Sequence, residues 1–441
     1  MEVLIKILQL LLSLSILVIF HEMGHFIAAK IFKTRVEKFY LFFNPWFSVF
    51  KFRYKGTEYG MGWLPLGGYV KISGMIDESL DREQMKKPPQ PWEFRSKPAW
   101  QRLIIMLGGV TVNVILAMVI YIIMLFTWGE QYLPTHEANK YGISVDSLAM
   151  EMGLRNGDKI LAVDYQFVED FQKIPVQMIL EEAKTIQVER DQQILDVEIP
   201  EGFLAKLVKH RNPAFISIRF PYIVGSFTEN SAAKTAGMQE NDRVIAMNNV
   251  PMFYFQDYAN EIPNYVSQEV SFSVIRGTDT LAIPIVIPES GKIGVYPQSL
   301  DNYFSLEEKQ YNLLQAIPAG IVKGFQGIGS YLKQLKLLFS PEVKAYESVG
   351  GFITIGSIFP SVWDWQQFWR LTAFLSIMLA ILNVLPIPAL DGGHVMFLLY
   401  EIIAGRKPNE KFMEYAQITG MIILFALLIF ANGNDIINLF R

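Results

Sequence analysis

The 441-residue sequence contains no cysteine. This absence excludes a disulfide-stapled scaffold, an iron–sulfur protein and an enzyme with a thiol nucleophile. Charged residues are also scarce, at 19% of the chain against about 25% in soluble domains. The 39 basic and 43 acidic residues leave a net charge of only −4, so we expect no nucleic-acid partner. Hydrophobic residues make up 51% of the sequence, which favours a membrane protein.

The apolar residues are concentrated in four runs. They cover Val3–Ile31, Leu103–Trp128, Phe368–Ala389 and a shorter stretch at about 412–432. A helix needs about 20 apolar residues to cross the hydrocarbon core of a bilayer. The sequence therefore predicts a polytopic α-helical membrane protein with about four transmembrane helices. A cleaved signal peptide is the alternative for the first run, but Glu2 beside a single early lysine fits it poorly.

The distribution of basic residues predicts the orientation of the chain. From Lys30 to Arg102, fourteen basic residues face seven acidic ones, and the loop before the fourth run carries Arg406, Lys407 and Lys411. By the positive-inside rule both loops are cytoplasmic. Both termini and the long central segment are then expected outside, as in a multi-pass protein of the bacterial inner membrane.

The central segment repeats itself. Residues 147–164 align with residues 231–248 at a constant offset of 84, so that Gly153 matches Gly237 and Asp158 matches Asp242. This long period indicates duplicated domains rather than a solenoid. The pattern resembles the PDZ domains of bacterial envelope proteases, which bind extended peptides by adding a strand to a sheet edge. The alternative is a pair of spacers that bind nothing. We expect two extracytoplasmic PDZ-like α+β domains, at 129–215 and 216–300.

The first apolar run carries the most specific motif, His21-Glu22-Met-Gly-His25. On a helix, positions i and i+4 lie on one face, so both imidazoles can reach one metal ion. Glu22 is placed as the base that activates the attacking water. A polar helix end at the membrane interface is the alternative, but it does not explain the spacing. Ionisable residues inside a membrane segment mark a functional interior by default.

A catalytic zinc site needs a third protein ligand, and Asp391 is the candidate carboxylate in the membrane. It lies at the end of the third run, where Pro386 and Pro388 break the helix and free backbone groups. Such a break is tolerated only in a protein-lined or wet cavity. His394 is a second candidate ligand, ranked below Asp391 because a lone histidine beyond a span is more often interfacial.

Together these motifs resemble the site-2 protease family of M50-type intramembrane zinc metalloproteases. The resemblance includes Asn-x-x-Pro-x-Pro-x-x-Asp-Gly-Gly from Asn383 onward. It implies an endopeptidase with one zinc ion that cleaves pre-trimmed single-span proteins, such as anti-sigma-factor-like substrates, and remnant signal peptides. It implies His21, His25 and Asp391 as zinc ligands and Glu22 as the catalytic acid/base. Asn383 would contact the substrate backbone.

The loop after the first run has a hairpin pattern. Residues 47–54 alternate apolar and polar side chains, Lys55-Gly56 forms a turn, and residues 57–63 return. We hypothesise that Gly60–Lys71 offers a sheet edge to an opened substrate, with substrate contacts at Gly67, Gly68 and Tyr69 and further contacts at Pro386 and Pro388. The alternative is a peripheral hairpin that anchors the cytoplasmic face.

The remaining boundaries follow from the same patterns. We expect an N-terminal membrane part at 1–128 with a β-loop at about 38–75, an amphipathic interfacial linker at 301–365, and a C-terminal membrane part at 366–441. Two function classes stay open beside a weaker third, a transporter. One is a zinc protease acting as a monomer in the bilayer; the other is a catalytically silent receptor or chaperone that binds envelope peptides.

Overall fold

The computed structural model describes residues 2–75, 88–210, 215–338 and 350–439. The chain divides into two compact units. One, called here the membrane unit, comprises 1–129, 310–339 and 345–441; the other, the central unit, comprises 130–309 and 340–344.

Helices dominate the membrane unit and are short in the central unit. In chain order they are α1 Glu2–Ile31, α2 Ala99–Trp128, α3 Thr135–Ala138, α4 Ser147–Met152, α5 Ile174–Leu180, α6 Phe203–His210, α7 Ala232–Thr235, α8 Phe255–Glu261, α9 Leu313–Leu338, α10 Phe352–Ser357, α11 Trp365–Val384, α12 Asp391–Ala404 and α13 Glu410–Leu439.

The strands form one sheet in the membrane unit and several small sheets in the central unit. They are β1 Val36–Tyr54, β2 Thr57–Ile72, β3 Glu130–Tyr132, β4 Ile143–Val145, β5 Lys159–Val163, β6 Thr185–Arg190, β7 Gln193–Glu198, β8 Ile216–Ile218, β9 Val224–Phe227, β10 Arg243–Met247, β11 Val250–Pro251, β12 Glu269–Arg276, β13 Asp279–Val286, β14 Val295–Pro297 and β15 Glu307–Lys309.

Four helices of the described residues are long and apolar enough to cross a bilayer: α1, α2, α11 and most of α13. This confirms the expected number of spans. The third apolar run continues to Ala389, but its helix α11 ends at Val384, in agreement with the predicted break at Pro386 and Pro388. Proline disfavours helical geometry in the residue before it and lacks an amide hydrogen, so the helix stops just before Pro386. Asp391 therefore begins a separate helix, α12.

The first two membrane helices cross in close contact at two glycines. A Cβ atom on Gly24 would overlap the backbone of Gly108, and one on Gly108 would lie 2.5 Å from the carbonyl oxygen of Gly24. Small residues let membrane helices approach to backbone contact, which gains dispersion energy where the hydrophobic effect gives none. The glycine within the His21–His25 motif is thus a packing residue.

Polar side chains hold the buried faces of the membrane helices together. The Thr372 hydroxyl donates to Ser13 Oγ at 3.0 Å, and the Ser376 hydroxyl donates to the carbonyl oxygen of Asn113 at 2.8 Å. Gln9 donates to the carbonyl of Pro360 at 2.8 Å. Hydrogen bonds of this kind fix the rotation of one helix against another in lipid. They join α1 and α2 to α11 along one buried seam.

The loop after α1 forms the predicted hairpin, with Lys55 and Gly56 both at positive φ in its turn. The pairing is more extensive than a simple hairpin, because Leu41 of β1 lies opposite both Met61 and Gly68 of β2. The segment Gly68–Ile72 borders β1 on one side, and no other strand in the described ranges pairs with its second side. It is the edge of the sheet.

The hypothesised edge at Gly60–Lys71 is therefore wrong in its first part. Gly60 lies between Tyr40 on one side and Lys51 on the other, so its backbone is already inside the sheet. Only the last residues of β2, Gly68–Ile72, lie at the margin of the sheet. The sequence alternation could not show this, because the long strand β1 bends and pairs twice with β2.

The central unit contains two hydrophobic cores. The first is built around Phe171, Ile186 and Val188 and extends to Phe220; the second is built around Val244 and Phe272. Strand β8 pairs with β4, so the sheets of the first half continue beyond the expected boundary at 215. Strands β3 and β15 pair with each other, which brings together the points where the chain enters and leaves this unit.

The two aligned segments make the same polar contacts. Arg190 donates two hydrogen bonds to the buried carboxylate of Asp158, both at 2.7 Å, and a third to the carbonyl of Gly153. In the second half Arg276 makes the same three bonds to Asp242 and Gly237. The hydrogen bonds to Asp158 raise the pKa of Arg190 above its ordinary value. In each half, an arginine at the end of a strand thereby binds the glycine that follows a short helix.

Replacing Gly24 by alanine should loosen the α1–α2 crossing. The added methyl group overlaps the backbone of Gly108, which cannot move aside as a side chain can. We expect the free energy of unfolding to fall by about 1–3 kcal/mol, the usual cost of overpacking. Thermal unfolding in detergent measures this. The control is Gly329→Ala, where a Cβ meets no atom within 4 Å; equal stability of the two variants would contradict close helix contact.

Replacing Arg190 by alanine should destabilise the central unit. It leaves the Asp158 carboxylate, which is only 1% exposed, without its charge partner. Breaking a buried pair costs on the order of 3 kcal/mol. The matched control is Lys159→Ala, which removes a surface ion pair with Glu189 and should have little effect. Thermal unfolding of the full chain compares the two, and equal losses would refute the structural role of the buried pair.

Candidate metal centre

The two histidines of the first membrane helix lie one turn apart and face the helix bundle. The residues His21 and His25 are 8% and 7% exposed, and their ring centroids are 4.9 Å apart. Their Nε2 atoms are separated by 3.3 Å. The i, i+4 spacing places both rings on one face, as the motif predicts.

The outer nitrogen of each ring contacts the second membrane helix. Nδ1 of His25 donates to the carbonyl oxygen of Ile105 at 2.8 Å, so the lone pair of its Nε2 faces inward. Nδ1 of His21 lies 3.2 Å from the side-chain amide of Asn113. Helix α2 therefore orients both imidazoles, as the partners of metal-binding histidines commonly do.

The carboxylate of Asp391 completes the cluster. Its Oδ2 atom lies 3.2 Å from the Nε2 atoms of both histidines. Asp391 is the first residue of α12, where the positive end of the helix dipole favours a negative charge. The turn before it includes Ala389 at a φ of +89°. A residue in this conformation stores on the order of 1–3 kcal/mol of strain and is typical of functional sites.

The three atoms fit a zinc ion. They lie 3.2–3.3 Å apart, and neighbouring ligand atoms of a tetrahedral zinc site with bonds of about 2.0–2.1 Å are about 3.3 Å apart. Oδ2 of Asp391 is buried and has no hydrogen-bond partner, an arrangement that a cation satisfies. Among the described residues, His21, His25 and Asp391 are the one group that meets the criteria for metal binding.

A glycine on the second helix makes room for the two rings. A Cβ atom on Gly109 would lie 2.7 Å from Cε1 of His21 and would overlap Nε2 of His25. Its neighbour Gly108 meets Gly24 in the helix crossing. The helix crossing thus depends on Gly108, and the space for the imidazole rings depends on its neighbour Gly109. Both positions require glycine because the backbone of α2 lies so close to α1.

A cavity of about 440 Å³ opens beside the cluster. It is lined by the three clustered residues, by Glu22 and by the sheet edge at Gly68 and Tyr69. Glu22 is half-buried and lines this space together with Val70 of the sheet edge. The site thus combines a cation-binding cluster, a neighbouring carboxylate and a backbone edge around one space.

The other predicted site residues lie at different distances from this centre. Nδ2 of Asn383 is 3.4 Å from Nε2 of His21. His394 lines the cavity but is not in the cluster, as its lower rank implied. Among the described residues, the cavity lining does not include Gly67, Pro386 or Pro388. Gly67 takes a φ of +132° beside Phe43, and Pro388 contacts Gly420 of α13.

Two contacts at the centre were not predicted from the sequence. The first is the contact of the Asn113 amide with Nδ1 of His21. The second is the position of Val70 in the same cavity lining as Glu22, although the two residues are far apart in sequence. The first could have been suspected, because a buried amide in a membrane helix needs a partner. No local sequence pattern indicated that Val70 lies in the same cavity lining as Glu22.

The comparisons with known proteins agree with this geometry. The model of peptidase family M50 matches residues 9–427. A Campylobacter jejuni protein with zinc metalloprotease in its name is 29% identical, over 98% of this chain and 93% of its own length. The regulator of sigma-E protease RseP of Escherichia coli is 28% identical, over 96% and 97% of the two chains. The regulator of sigma E protease of Haemophilus influenzae is 26% identical, over 97% and 98%.

These matches cover nearly the whole chain, including the four apolar helices. They support a protein of the bacterial inner membrane and confirm the expected resemblance. This chain belongs to peptidase family M50 and is a zinc-dependent metalloendopeptidase.

Proposed function

We propose that the chain is an intramembrane endopeptidase in which His21, His25 and Asp391 bind the catalytic zinc ion. The observation that carries the proposal is the triangle of two imidazole nitrogens and one carboxylate oxygen, 3.2–3.3 Å on each side and buried between membrane helices. Three protein ligands leave one position open for water or substrate, as in catalytic rather than structural zinc sites.

Zinc, when bound, polarises the carbonyl group of the scissile bond and lowers the pKa of water. The chain's own groups supply the remaining chemistry. Glu22 lies beside the cluster and takes the proton of the attacking water, then returns it to the leaving amine. Asn383, close to His21, is placed to donate to the substrate backbone.

The sheet edge Gly68–Ile72 is proposed to bind the substrate. A helical membrane segment hides its carbonyl groups in internal hydrogen bonds, and opening it in lipid leaves backbone groups unpaired. Pairing the opened segment with a strand replaces those bonds. The N–H groups of a strand alternate in direction. Because Ser73 donates toward β1 at Arg35, the N–H groups of Gly68 and Ile72 point to the open side.

The substrates proposed are single-span membrane proteins already trimmed on their outer side, including anti-sigma-factor-like proteins, and remnant signal peptides. The names of the two sigma-E relatives support this class. The two halves of the central unit are proposed as extracytoplasmic PDZ-like domains, and the site as near the cytoplasmic side. Their support is the 84-residue repeat and the basic loops.

Glu22→Gln should abolish cleavage while leaving zinc bound, because the amide cannot accept the proton but the three ligands remain. We expect a loss of about 10²–10⁴-fold in cleavage rate. Asp391→Ala should lose zinc as well as cleavage. Metal content by mass spectrometry and cleavage of a reconstituted single-span substrate measure both effects. The control is Asp435→Asn, a buried carboxylate outside the cavity. Cleavage by Glu22→Gln at the wild-type rate would remove Glu22 from the mechanism.

Gly68→Pro should cleave at least about tenfold more slowly than Gly68→Ala, with zinc retained in both. Each substitution places a Cβ near the Tyr40 carbonyl and Val18, so Gly68→Ala controls for the cost of that contact. Only proline removes the N–H group that faces the open side of the edge. The same reconstituted cleavage assay compares the two variants. Equal rates would mean that the edge does not pair with the substrate.

A further inference from the structure

The side chain of Asn113 contacts the candidate metal centre but has no part in the chemistry described above. It is fully buried in the middle of α2. Its Nδ2 atom faces Nδ1 of His21 at 3.2 Å, while its Oδ1 atom is buried without a hydrogen-bond partner. A buried amide oxygen without a partner costs free energy, so this orientation is unfavourable on its own.

The same orientation also conflicts with the role of His21. If the amide N–H donates to Nδ1, the ring proton of neutral His21 must be on Nε2, which faces His25 and Asp391. A protonated Nε2 cannot bind a metal ion. The centre as a whole, however, requires the lone pair of Nε2 to point inward, as it does in His25.

Rotating the amide by 180° removes both problems, because the amide oxygen and nitrogen have nearly the same size. Oδ1 then accepts the Nδ1–H of His21 and gains its missing partner. We propose that Asn113 is a positioning residue that holds His21 in the tautomer able to bind zinc. This inference rests on the proposed function, since it takes His21 as a zinc ligand.

The surroundings of Asn113 support a fixed position. Its backbone carbonyl accepts a hydrogen bond from Ser376 of α11 at 2.8 Å. The two histidines then have matching supports on one helix, the carbonyl of Ile105 for His25 and the amide of Asn113 for His21. Such second partners of metal-binding histidines set ring orientation, and their loss typically costs 10–100-fold in metal affinity.

The test is the zinc dissociation constant of the full-length, detergent-purified chain, measured by competition with a chromophoric chelator. Asn113→Leu keeps the approximate size of the side chain but accepts no hydrogen bond. We expect it to bind zinc about 10–100-fold more weakly. Asn113→Asp can only accept, so it should bind zinc as tightly as the wild type or more tightly. The control Thr111→Val changes an exposed polar side chain of the same helix, two residues from Asn113, and should leave zinc affinity unchanged.

Each result decides the matter. Unchanged affinity in Asn113→Leu, or equal losses in Asn113→Leu and Thr111→Val, would overturn the positioning role. If Asn113→Leu does not fold, Asn113→Asp decides alone: a buried carboxylate that weakens zinc binding refutes the acceptor role, and retained binding supports it. Absence of stoichiometric zinc from the wild type would instead overturn the proposed function, so the two failures are distinguishable.

Discussion

The close crossing of α1 and α2 is the constraint on which the centre depends. Gly24 and Gly108 allow backbone contact, and Gly109 then lies against both imidazole rings. In lipid no hydrophobic force drives helices together, so such a crossing is maintained by packing and by a few hydrogen bonds. The polar seam of Ser13, Thr372 and Ser376 ties each of the two helices to their common neighbour α11. The packing of α1 against α2 therefore also determines the geometry of the cluster.

The β1–β2 hairpin also contributes to the cavity beside the cluster. Its edge segment, Gly68–Ile72, lines the same cavity as Glu22 and the cluster. An exposed strand edge in a soluble domain is an aggregation hazard that folds avoid. Here the edge lies beside a carboxylate and a cation-binding cluster. A feature that is costly elsewhere fits the proposed binding of a membrane segment that has lost its helical hydrogen bonds.

Much of the centre could be predicted because it depends on local spacing. The interval between His21 and His25 places both rings on one helical face in any helix, and Asp391 was the carboxylate with a helix break beside it. The break of the third run was predictable from Pro386 and Pro388, and α11 ends at Val384, although hydropathy alone would carry the run on to Ala389. The contacts of Asn113, the double pairing of β1 and the ion pairs of Arg190 and Arg276 were not predicted. Each joins segments distant in sequence, where packing alone decides which partners meet.

The order of the cluster along the chain has a consequence for biosynthesis. Two of its members are in α1, whereas the third begins α12, after the entire central unit has been synthesised. Two imidazoles without the carboxylate form an incomplete site that holds zinc weakly. A growing chain therefore lacks the complete cluster until α12 has been made, a delay comparable to the one that other proteases obtain from an inhibitory propeptide.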